Sequence, residues 1–129
     1  MIGGRVLDLS ALLSFARQNS LYAAALVWTA VEEDIVLLTP ATAVGLAWAQ
    51  LDGVARPVLD VLLGLPIAVV DDLTRSRSLE VGEYLASHRI RLDAAHAAVC
   101  ARERGWPLVT AEPAEYDDAE GALVVETLP

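Results

Sequence analysis

The feature that most constrains this chain is an alternation. Short apolar runs rich in β-branched residues are separated by longer stretches rich in alanine and leucine. The runs fall at 5–8, 35–38, 67–70, 107–110 and 122–126, each of strand length. Helical spacing occupies residues near 10–17, 20–32, 41–51, 55–63, 73–87 and 94–104. Pro40, Pro57, Pro66 and Pro107 stand at or near the boundaries, where a residue without an N–H interrupts least. Strands alternating with helices predict an α/β fold in three layers, a parallel sheet covered by helices on both faces. The 129 residues contain no linker, repeat or low-complexity stretch, so one domain over 1–129 is expected.

In a sheet of that kind a ligand sits beyond the carboxyl ends of the strands, where the strand order reverses. The polar residues expected at those ends are Asp8, Thr39, Asp71 with Asp72, and Thr110 with Glu112. The stretch "VLDLSALLSF" puts the question most sharply, because a carboxylate stands where an apolar strand turns into a helix. Such a charge needs hydrogen bonds, a counter-charge or a metal. Either Asp8 or Ser10 caps the following helix, or Asp8 is a ligand at the end of a central strand.

Several chemistries are excluded. "IAVVDD" invites comparison with the acidic pocket of a receiver domain, but the pair follows the third strand and the chain has no lysine. It reads as a solvated turn and cap before helix 73–87. "IGGR" precedes its strand, so it is no phosphate loop. One cysteine and two histidines offer no zinc-binding spacing, and Ser10, Ser14 and Ser20 have no histidine nearby in sequence. His88 reads as a helix terminus and His96 as a hydrogen-bonded packing residue. Cys100 alone precludes an internal disulfide, and with no signal-peptide pattern the cytosol is the expected compartment. The run Ile35–Leu51 approaches the length of a membrane span, but Thr39, Pro40 and Thr42 break it. A net charge of −9 argues against a general nucleic-acid binder and leaves no DNA-binding signature.

Three carboxylates remain: Asp8, Asp93 and Glu112. In order, "VLDLSALL", "LLTPATAVGLAW" and "DAAHAAVCARERGWPLVTAEPAEY" resemble the PIN domain, the fold of VapC-type toxins and related metal-dependent ribonucleases. The resemblance covers nearly the whole chain. It implies a parallel sheet in the order 3-2-1-4-5, with Asp8 and Glu112 side by side and Asp93 entering from the preceding helix. It further implies that these three acids bind Mg2+ or Mn2+, which take oxygen ligands. The activity implied is a metal-dependent endoribonuclease, acting on RNA as the toxin of an antitoxin-controlled pair. A catalytically degenerate module acting through protein–protein contacts is the alternative.

The sequence departs from the family in its acids. The family's second acid, a glutamate on the helix after strand two, matches about Leu46, and that helix carries no acid. The third falls at or beside Ala94, one residue from Asp93. Glu112 replaces the usual aspartate, with Glu115, Asp117 and Asp118 as possible substitutes. Asp93 by itself reads as an N-cap. Asp8→Asn is expected to hold or slightly raise stability by relieving repulsion between acids. At 55% hydrophobic, with Trp28, Trp48 and Trp106, the chain is also expected to form a homodimer or hold a partner through helices 20–32 and 41–51.

Overall fold

The computed structural model describes residues 3–118 and 123–129. Its first strand, β1 (Gly4–Leu7), explains the three layers by itself. Val6 and Leu7 are adjacent and both buried, and successive strand residues point to opposite faces. Val6 meets Leu38, Leu108 and one helix layer, whereas Leu7 meets Leu37, Val109 and the other. The remaining strands are β2 (Val36–Pro40), β3 (Ala68–Asp71), β4 (Leu108–Thr110) and β5 (Val125–Thr127). All pairings are parallel, in the order β3-β2-β1-β4-β5. Residue 122, the expected start of the last strand, lies outside the described residues.

On the Leu7 face lie α1 (Leu9–Ala16), α2 (Leu21–Glu33), α3 (Ala41–Gln50) and α4 (Arg56–Leu63). Leu12, Ala43, Ala47, Leu59 and Leu62 bring them together over the sheet. Each fully buried leucine contributes roughly 1.5–3 kcal/mol of transfer free energy. On the Val6 face lies α6 (Leu92–Arg104), whose alanines at 94, 95, 97, 98 and 101 are all buried. That small-residue surface lets the sheet approach one side and α5 (Arg75–Ser87) the other, through Val81 and Tyr84. Among the described residues no helix is long and apolar enough to cross a membrane.

Capping refines two expected boundaries. Thr74, accepting from Arg77 N at 3.1 Å, caps α5, so Asp71 and Asp72 do not. Helix α6 starts at Leu92, which places Asp93 inside the first turn and makes Arg91 the capping position. It ends at Gly105 in the left-handed region, φ 67°. Trp106 is packed against the core, whereas Trp28 is 70% and Trp48 43% exposed.

Candidate functional site

Asp8 ends up as both a cap and a buried acid. Its Oδ1 accepts from Ala11 N at 3.0 Å and from Ser10 Oγ at 2.7 Å. Its Oδ2 accepts from the Tyr116 hydroxyl at 2.7 Å. Because the Ser10 proton is committed to Asp8, the 3.1 Å contact between Ser10 and Thr110 has Thr110 as donor. Ala111 N donates to Ser10 Oγ at 2.8 Å and Glu112 N to Thr110 Oγ1 at 2.9 Å. Asp-x-Ser after β1 and Thr-x-Glu after β4 are thus one hydrogen-bonded unit. It ties together the ends of two strands that are paired through Leu7 and Val109.

The other two predicted acids meet at Arg91. Asp93, 3% exposed, receives the guanidinium at 3.3 and 3.4 Å. The same guanidinium lies 3.6 Å from Glu112 and 3.7 Å from Glu115. Burial works against the charge on Arg91, but Asp93, Glu115 and Glu112 outweigh it and hold the group protonated. Burial, reinforced by the charges of Asp8 and Asp93, pushes the Tyr116 phenol far above its usual range, so it remains a donor.

Of the three substitutes considered, Glu115 joins this cluster. Asp118 instead accepts from Arg89 N at 2.7 Å, and Asp117 is exposed. The side chain of Glu112 is 57% exposed and turned to Arg91. Asp8, Asp93 and Glu112 share the carboxyl edge, but their oxygens are not all within 4.8 Å of one another. Leu46, at about the position where the resemblance implied a glutamate, is 43% exposed on α3. The hard oxygen donors do fit a small divalent cation electrostatically. Asp8, Asp93, Glu112 and Glu115 carry four negative charges, and the guanidinium set against them is Arg91.

The structure also gathers a group that sequence reasoning dismissed. Asp71 does not form a solvated turn: Arg77 clamps it at 2.9 and 3.2 Å, and His96 Nε2 lies 2.8 Å from Oδ2. His96 is fully buried, with Nδ1 2.9 Å from Thr42 Oγ1. Ligand atoms of Asp71, His96 and Cys100 all lie within 4.8 Å of one another. Burial pushes the Asp71 carboxyl up, but the hydrogen bonds from His96, Arg77 and Cys100 outweigh it and leave the group below the usual range. Burial and the Asp71 charge push the Cys100 thiol up to about 12. The available sequence signal was the His96–Cys100 spacing, one helical turn apart on a single face.

No family model matches the sequence, and no curated protein matches it. Solved structures do match. VapBC2 from Rickettsia felis, bound to a DNA fragment from its promoter, aligns over 98% of this chain and 99% of its own, at 11% identity and TM-score 0.73. The sarcin-ricin-loop-cleaving toxin VapC20 from Mycobacterium tuberculosis aligns over 83% and 87%, at 15% identity and TM-score 0.65. FitAcB from Neisseria gonorrhoeae aligns over 94% and 95%, at 17% identity and TM-score 0.56. At these identities the likeness is one of architecture, and the strand order agrees with it: the chain has the PIN-domain fold of the VapC-type toxins.

Proposed function

We propose that the protein is a metal-dependent endoribonuclease, the toxin of a VapBC-type pair, with Asp8, Asp93 and Glu112 as its cation-holding acids. The observation that carries this reading is the surplus of carboxylates at the switch point, four acids against the one guanidinium of Arg91. A bound Mg2+ or Mn2+ would supply water activation and charge stabilisation at a phosphate. Ser10 and Ala11 N fix the Asp8 carboxylate, and Thr110 positions the backbone of Glu112. Arg91, half exposed beside the acids, suits a phosphate oxygen of the RNA.

The fold shared with VapC20 and with complexes such as VapBC2 supports both an RNA substrate and an antitoxin partner. With a net charge of −9, any promoter contact falls to the antitoxin. Leu21, Trp28 and Val31 of α2, with Leu46 and Trp48 of α3, are exposed and offer a surface for homodimerisation or for the antitoxin.

The test is calorimetric titration with MnCl2 and MgCl2, paired with an RNA cleavage assay on wild type and Asp93→Asn. Binding and cleavage that are both lost in the variant support the nuclease. A folded wild type that binds neither ion and cleaves no RNA establishes the competing module that acts only through contacts. The absence of any acid on α3 would then be its physical cause.

A further inference from the structure

The group at Asp71 lies outside the acidic edge and plays no part in the proposed cleavage. We infer that Asp71, His96 and Cys100 form a site for a thiophilic transition-metal ion of the Zn2+ class, distinct from the carboxylate site. The donor chemistry is the first argument. Carboxylate oxygen, imidazole nitrogen and thiolate sulfur are zinc ligands, and donors around one tetrahedral zinc lie roughly 3–4 Å apart. The three here already lie within 4.8 Å of one another, so capture needs only small side-chain movement.

Preorganisation is the second. His96 and Cys100 share one face of α6, and Asp71 ends β3 opposite them. The Thr42 contact at Nδ1 fixes the His96 ring with Nε2 aimed at Asp71. Metal-binding imidazoles are typically oriented in this way through their second nitrogen. Arg77 holds Asp71 in place, and its own charge is countered by Glu80 and Glu103. A cleft of ≈ 420 Å³ lined by Asp71, Asp72, Thr74, Arg77, Glu80 and Glu103 brings solvent to the Asp71 side of the group, while His96 and Cys100 lie buried behind it.

Binding is an exchange of protons without redox change. Cys100 loses its S–H proton to solvent and contributes the sulfur lone pair. Neutral His96, whose Nε2–H is donated to Asp71 in the metal-free chain, passes that proton to solvent and takes one up at Nδ1, where it is donated to Thr42 Oγ1 as the hydroxyl turns. Nε2 is then free to coordinate, and the net release is the Cys100 proton alone. The Asp71 oxygen gives up its His96 contact for the ion, and the fourth position falls to water.

Cobalt(II) titration of the full chain, followed by absorbance, tests this directly. The chain has a single cysteine, so a thiolate-to-cobalt charge-transfer band in a monomeric sample reports Cys100 alone. The band should saturate at one equivalent, vanish when zinc is added and survive a large excess of magnesium. It should persist in Asp8→Asn, weaken about tenfold in Thr42→Val and disappear in His96→Gln. The wild-type titration stands even if a variant fails to fold. Cobalt binding without a charge-transfer band, saturation at half an equivalent, or an unaltered band in folded His96→Gln would each overturn the assignment.

Discussion

The hydroxyl of Tyr116 donates a 2.7 Å hydrogen bond to Asp8 Oδ2, joining residues 108 positions apart at the carboxyl edge of the sheet. Both groups are buried, so the bond lies in a low-dielectric setting where a charged acceptor gains most from a donor. It makes the 3-10 turn Pro113–Tyr116 a clasp on β1.

Tyr116→Phe should lower stability by about 1.5–3 kcal/mol, the range for a hydrogen bond to a charged group. The same variant should bind Mn2+ more tightly, because one oxygen of Asp8 loses its competing donor. Urea unfolding and Mn2+ calorimetry check both. An unchanged urea midpoint together with unchanged affinity would contradict the contact.

Asp8→Asn should destabilise the protein by about 1–3 kcal/mol, the reverse of what charge repulsion alone suggests. Three donors converge on this carboxylate, from Ser10, Ala11 and Tyr116, and an amide NH2 cannot accept from the one it faces. Thermal and urea unfolding in metal-free buffer measure the sign.

The Asp71 cluster should make stability sensitive to acid. Burial opposes ionisation of Asp71, but its hydrogen bonds with His96, Arg77 and Cys100 win and depress its folded-state pKa. The contribution is therefore complete above the unfolded value of about 3.9 and is lost as pH falls through the folded one. Between about pH 4 and pH 2, stability of wild type should fall more steeply than that of Asp71→Asn. Parallel curves would remove Asp71 from the acid response.

Two glycines should respond in opposite directions to alanine. A Cβ at Gly4 would lie 2.4 Å from the Trp106 ring, so Gly4→Ala should cost about 1–3 kcal/mol and shift tryptophan emission. At Gly82, inside α5, nothing lies within 4 Å of an added Cβ, and alanine should stabilise by about 0.5–1 kcal/mol. Denaturant midpoints of the two variants decide.

The layered α/β architecture was legible because apolar period and length report burial locally. The run 107–110 became β4, and the run 5–8 became β1 with Asp8 just beyond it. The capping role of Asp8 was equally local. What stayed hidden depends on pairings between distant segments. Asp71 beside Asp72 looks like a solvated turn until α6 lays His96 against it, 25 residues further on. Asp93 was expected as an N-cap because aspartate favours that position, yet the helix begins earlier and buries it against Arg91. Nothing in the run "RIRLDAAH" signals that one of its arginines serves three acids from two segments.

Helix α6 carries Asp93 towards one cluster and His96 with Cys100 towards the other. At 1.5 Å per residue, Asp93 and His96 are separated by only about 4.5 Å along the axis. The helix therefore behaves like a camshaft with two lobes. Deleting one residue between Cys100 and Gly105 would turn the upstream part by about 100° relative to β4 and withdraw both sets of side chains together. The two clusters are consequently not independent in inheritance. Individual donors can be exchanged one at a time, but the helix cannot be re-registered without forfeiting both ends of the sheet's carboxyl edge at once.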